Sequence, residues 1–154
     1  MATLYSNQKT KWSQNVPSDK VKTNEQSGRM RLAFADVTLA SASIGDVVQM
    51  INLPNGARIV DGYLTNAALG GSTTLSVGYG AYFTSAKVST SLSAAAYLAA
   101  TSTSSAARTD IFATIALGAG SVVDADENGL PITITLAGGS ASGVVQVAVR
   151  YVVD

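Results

Sequence analysis

From Arg29 onward, short β-branched and apolar runs alternate with Gly, Pro, Asn and Ser punctuation. Met30-Arg31-Leu32-Ala33-Phe34 places Met30, Leu32 and Phe34 on one face. That is the period of two expected of a strand, and the run continues towards Leu39. Ala40 to Gly45 reads as a small-residue turn. Asp46 to Leu53 carries Val47, Val48, Met50 and Ile51, and ends at Pro54-Asn55-Gly56, a strong turn signal. Ala57 to Thr65 carries Ile59, Val60, Tyr63 and Leu64. After Gly70-Gly71-Ser72, the run Thr73 to Tyr79 sets Thr73, Leu75, Val77 and Tyr79 on one face.

The middle of the chain reads differently. Ala94-Ala95-Ala96-Tyr97-Leu98-Ala99-Ala100 has the composition of about two helical turns, too short to be stable alone. A loop is the competing reading. Ser102 to Ala107 reads as loop. Strands then resume at Arg108 to Leu117, Ser121 to Asp124, Pro131 to Leu136 and Gly143 to Val153. The last alternates Val145, Val147, Val149 and Tyr151.

About eight short strands without long crossover helices predict an all-β, antiparallel two-sheet sandwich. A jelly-roll arrangement is favoured, with an immunoglobulin-like sandwich as the alternative. The strand pattern covers residues 29–154. Residues 1–28 have no helix or strand period and read as an extended N-terminal arm.

Charge divides the chain at nearly the same point. Up to Arg31 there are six basic residues (Lys9, Lys11, Lys20, Lys22, Arg29, Arg31) against Asp19 and Glu25. Beyond it, four basic residues face eight acidic ones. The formal net charge of zero is therefore a cancellation between a basic arm and an acidic body. The arm's apolar residues are scattered, so it cannot bury enough surface to offset its own ordering entropy. Against a partner, Tyr5 and Trp12 would serve as anchors, with Lys9, Lys11, Lys20 and Lys22 facing acidic groups. A solvated tail is the competing reading, and a nucleic-acid arm ranks third because the dispersed basic residues give a weak phosphate-binding signal.

Composition removes several chemistries. The 154 residues include no Cys and no His, and only 13% are charged, about half the usual share. Without Cys or His there is no disulfide framework, thiolate zinc site, Ser-His-Asp triad or Cys-His pair. The N-terminus lacks the apolar core of a signal peptide, and no run reaches the ~20 apolar residues of a membrane span. An aqueous compartment is expected for synthesis and use.

The best chemical fragment is Asp124-x-Asp126-x-Asn128-Gly129, which matches the first half of a calcium loop. Its twelfth position is Thr135, where a bidentate Glu should stand, and Pro131 onward reads as a strand. The competing reading is an acidic turn before a strand, with no cofactor. Ser85-Ala86-Lys87 has Ser/Lys spacing without the surrounding context that nucleophilic catalysis needs. Asp46, Asp61, Asp110 and Asp124 could converge as a carboxylate pair, although Asp61 and Asp110 more simply pair with Arg58 and Arg108. No catalytic residue is assigned.

Three phrases carry a resemblance. They are Leu53-Pro54-Asn55-Gly56-Ala57-Arg58-Ile59-Val60-Asp61-Gly62-Tyr63-Leu64, Gly71 to Gly80, and Gly143 to Val152. Together they resemble the head decoration, or cement, proteins of tailed bacteriophages over about Asp46 to Val153. The resemblance implies a jelly-roll body, often a homotrimer, on the outer capsid surface of the virion. There it would bind the major capsid protein and clamp neighbouring subunits, with no nucleic acid, membrane or small-molecule substrate. A head- or tail-fibre attachment domain is the alternative within that class. A carbohydrate-binding module is the alternative outside it, requiring Tyr79, Tyr82, Phe83 and Tyr97 to line one surface.

Overall fold

The computed structural model describes residues 28–153 together with Ser6 and Lys9. Ten strands follow in order: β1 (Met30–Ala42), β2 (Val47–Leu53), β3 (Arg58–Asn66), β4 (Thr74–Tyr79), β5 (Tyr82–Phe83), β6 (Ser89–Thr90), β7 (Ser93–Ser102), β8 (Ala107–Ile111), β9 (Leu130–Ala137) and β10 (Ala141–Val152). One four-stranded sheet has the order β1-β10-β3-β8, and the other β2-β9-β4-β7. β5 and β6 form a separate two-stranded hairpin. Among the eight long strands, the first pairs with the last, the second with the second-last, and so inward. This nested antiparallel ribbon, wound into two sheets, is the jelly roll.

Alternation along each strand builds the core. Ile59 and Leu64 of β3, Leu75 and Val77 of β4, Ile132 and Ile134 of β9, and Val145, Val147 and Val149 of β10 point between the sheets and are fully buried. A bulge where β3 meets β10 (Arg150 pairs Asp61, but Tyr151 pairs Ile59) turns Val60 outward while Ile59 stays inside.

Several expected elements change. The Ala-rich segment is strand β7, not helix. Pairing with β4 satisfies its backbone, and burial of Tyr97 outweighs the helix propensity of Ala. Between Val77↔Leu98 and Tyr79↔Ser93 the strand bulges over Gly78. A Cβ at Gly78 would lie 1.8 Å from the Ser93 carbonyl oxygen, so only glycine allows that approach. Ser121 to Asp124 is not a strand; it makes one bridge, Val122 to Arg58. β8 stops at Ile111, where Phe112 takes a positive φ of 57°. Ile115, expected in that strand, sits in a short 3-10 turn and is 89% exposed.

Candidate interaction faces

The outer face of the β1-β10-β3-β8 sheet carries what the core does not use. On β1 the alternation holds, but its large apolar side faces out. Met30, Leu32 and Phe34 are 60%, 59% and 52% exposed, while Ala33, Val37 and Leu39 pack inward. The pairings Leu32–Arg150–Asp61 and Phe34–Ala148–Tyr63–Asp110 run across this face. Arg150 holds Asp61 through two nitrogens, with Nε donating to Oδ1 at 2.6 Å and Nη2 donating to Oδ2. The Arg108 guanidinium lies 3.8 Å from the centre of the Tyr63 ring, a cation–π contact. Asp61 is thus paired with Arg150 and not with Arg58, whose Nη1 donates to the Gly120 carbonyl at 2.7 Å.

The acidic loop performs a different task. Asp124 Oδ1 accepts both the backbone N–H (3.0 Å) and the hydroxyl (2.6 Å) of Ser85. Asp126 accepts the Asn128 N–H at 2.9 Å and Lys87 Nζ at 3.4 Å, and its own N–H donates to the Phe83 carbonyl at 2.8 Å. Lys87 also donates to Glu127 at 2.5 Å. Ser85 donors hold Asp124 below the usual carboxylate range, the Asn128 N–H does so for Asp126, and Lys87 for Glu127. The hydrogen bond to Glu127 raises Lys87 in turn.

Asp124, Asp126 and Glu127 therefore latch the β5–β6 hairpin to the body, and Asn128 donates to Asp126 from within the loop. No group of three or more His, Cys, Asp or Glu among the described residues is arranged to hold a metal ion. Ser85 and Lys87 face separate carboxylates and make no dyad. Asp46 closes the turn before β2 by accepting the Ser43 N–H at 2.7 Å. Asp46, Asp61 and Asp124 thus serve separate local structures.

The aromatic residues stack on one another. Tyr82 meets Tyr79 edge-on at 5.6 Å, Tyr79 lies 5.8 Å from Tyr97, and Tyr97 lies 4.5 Å from Phe112. Tyr97 is buried, and that burial pushes its phenol well above the ordinary value. Tyr79 and Tyr82 are part-buried against the core, and Phe83 alone of the four is exposed. A flat sugar-stacking platform from these four is not what the fold builds. Of the arm positions, Lys9 is exposed and its N–H donates to Ser6 Oγ at 3.2 Å. Tyr5, Trp12, Lys11, Lys20 and Lys22 lie outside the described residues.

No protein-family model matches the chain, and no curated protein matches it in sequence. Its shape does match solved structures. A chain of the cyanophage Pam1 capsid asymmetric unit superposes with a TM-score of 0.60 at 20% identity, over 92% of this chain and 99% of that one. The fold is one found in phage capsids. A chain of the capsid of Ralstonia phage GP4 gives 0.60 at 21% identity, over 82% of this chain and 86% of that one. A chain of the acid-stable capsid of Helicobacter pylori bacteriophage KHP30 gives 0.51 at 16%, over 80% and 87%. The shared feature is the jelly-roll body. Fold and function are separate questions.

Proposed function

We propose that this chain is a structural virion protein that decorates the outer capsid. It binds the major capsid protein and reinforces the contacts between neighbouring subunits, without catalysis. The observation that carries this reading is the near end-to-end correspondence with a capsid chain. Coverage of 92% of one and 99% of the other means two chains of nearly equal length. The likeness therefore runs through nearly the whole of that capsid chain.

The chemistry supports the same reading. On the outer face Arg150 is paired with Asp61 and Arg108 lies over Tyr63, and the acidic loop is spent on a hairpin latch. What is left open is apolar and polar surface suited to protein contact. Standard protein interfaces bury about 1,600 Å² in total, and several linked copies multiply attachment by avidity. Such contacts raise the work needed to separate subunits under internal pressure. In this reading the basic arm, with Tyr5 and Trp12 as anchors, reaches across an acidic neighbouring surface.

The test is co-sedimentation of purified protein with capsids that lack it, followed by a thermal disassembly assay. Saturable binding and a higher disassembly temperature are expected. No binding, or binding without stabilisation, would sink the proposal.

A further inference from the structure

We propose that Asn128-Gly129 is a deamidation site that the fold holds shut through Asp126, and that loosening of the β5–β6 latch opens it. Two Asn-Gly dipeptides occur in the chain, Asn55-Gly56 and Asn128-Gly129. Glycine has no side chain to hinder its own nitrogen, so an asparagine before glycine is the one most readily attacked. The glycine nitrogen gives up its proton to solvent base and bonds to the asparagine Cγ. The Cγ–Nδ2 bond breaks, and Nδ2 takes up a proton and leaves as ammonia. Water then opens the cyclic imide at either carbonyl, giving aspartate or isoaspartate. Nothing is oxidised or reduced, and water is the only co-reactant. Two freedoms are required: a glycine N–H released from its hydrogen bond, and a peptide able to turn towards its own side chain.

Asn128 has neither. The Gly129 N–H is buried and donates to the Asp126 carbonyl at 3.0 Å. The Asn128 N–H donates to Asp126 Oδ1 at 2.9 Å, and its Nδ2 donates to Asp126 Oδ2 at 3.3 Å. The Asn128 carbonyl accepts from Asn52 Nδ2 at 3.1 Å. Sterics also fix the residue that follows. Gly129 has a φ of 78°, and a Cβ there would lie 2.6 Å from the Leu53 carbonyl oxygen, so the reactive pairing is imposed by the turn itself.

Three of these four hydrogen bonds end on Asp126, which is also where the latch grips. The Asp126 N–H donates to the Phe83 carbonyl at 2.8 Å, and its Oδ2 accepts from Lys87 at 3.4 Å. Release of the hairpin frees the residue that pins Asn128 and Gly129. Asn55-Gly56 is held by other means. The Gly56 N–H donates to the Val123 carbonyl at 2.9 Å, and the Val123 N–H donates to the Ala57 carbonyl at 2.8 Å. Neither bond passes through Asp126. Deamidation of Asn128 replaces a donor to Asp126 with a second carboxylate beside it, and like charges repel. One event therefore loosens the latch further.

Peptide mass spectrometry of the full chain, aged folded and aged in guanidinium chloride, measures the rate at each asparagine. Folding should slow Asn128 by about tenfold or more, because the reaction must wait for local opening. Asp124→Ala removes the acceptor of both Ser85 donors and leaves every bond of Asn128 and Gly129 in place. It should raise the folded-state rate at Asn128 by about threefold or more. The rate in denaturant and the folded-state rate at Asn55 should stay as in wild type. If Asp124→Ala does not fold, Ser85→Ala decides, since it removes the hydroxyl donor alone and should act in the same direction. Equal rates at Asn128 in the folded and denatured chain would overturn the proposal. So would an unchanged rate in the folded variant, or equal acceleration at Asn55.

Discussion

Ser85 donates its backbone N–H and its hydroxyl to the same oxygen of Asp124, 39 residues further along the chain. Two donors on one carboxylate oxygen, with Lys87 gripping Glu127 beside it, tie the β5–β6 hairpin to the loop before β9. This latch has a pH signature. Asp124, Asp126 and Glu127 are all held below their ordinary values. On acidification the unfolded chain therefore takes up protons first. The latch's stabilisation is complete above the ordinary carboxylate range, around pH 4, and is lost as pH falls through the depressed folded values. Lys87 works in the opposite sense. Its folded value is raised, so its share is complete below about 10.5 and lost as pH climbs through the raised value. Hydrogen-exchange protection factors across residues 82–90, corrected for the intrinsic rate at each pH, should be high at pH 7 and fall below pH 4. In Asp124→Asn the acid-induced step should shrink. Unchanged protection factors between pH 7 and pH 3 would show that the latch does not hold the hairpin.

Metal should make no difference to this loop. The oxygens expected to gather around calcium are committed to Ser85, Asn128 and Lys87. Melting curves with excess calcium and with a chelator should superimpose. A calcium-dependent rise in Tm that disappears in Asp126→Asn would restore the metal-site reading.

Two glycines separate a steric requirement from ordinary turn chemistry. Gly78→Ala drives a methyl into the Ser93 carbonyl and the Ala94 backbone. Backbone cannot rotate aside as a side chain can, so the cost should reach about 3 kcal/mol, the upper part of the overpacking range. A Cβ at Gly71 meets nothing within 4 Å, and Gly71→Ala should stay within about 0.5 kcal/mol of wild type. Urea unfolding measures both. Equal costs would mean that β7 does not cross β4 as closely as described.

Two isoleucines that look alike in sequence should respond very differently. Ile134 is 1% exposed in the middle of the core, and Ile115 is 89% exposed on its turn. Ile134→Ala should cost about 2–5 kcal/mol through lost burial and the cavity left behind. Ile115→Ala should fall within about 0.5 kcal/mol of zero. Denaturant midpoints of the two variants check this, and a large loss at Ile115 would mean that its turn is covered.

The regions read best from sequence are those where one face of a strand is buried and the other is not. β9 and β10 show this: Ile132, Ile134, Val145, Val147 and Val149 alternate in the chain and all point inward. The antiparallel sandwich class also followed from the number of short runs and the lack of crossover helices, while the strand order decided for the jelly roll. The candidate faces were far less legible. The Asp124-x-Asp126-x-Asn128 spacing drew attention to a loop whose contacts it does not reveal, because the loop's partners, Ser85 and Lys87, are some 40 residues away. The paired Arg150 and Asp61 are 89 residues apart. No local pattern encodes either contact.

Alternation and turn chemistry by themselves determined that this chain is a sandwich of short antiparallel strands with an acidic body. Both are local properties, set by side-chain period and backbone preference over a few residues. Which face of an alternating strand turns inward is not local. Met30, Leu32 and Phe34 have the pattern of a core stripe, yet they point outward because β10 pairs with β1 in the register that turns Ala33 and Val37 towards the core. The conformation of Ala94–Ala100 was likewise decided by its neighbour β4, whose backbone supplied the hydrogen bonds that a two-turn helix could not hold against water. Long-range pairing resolved these choices, and with them which apolar surface is left to meet another protein.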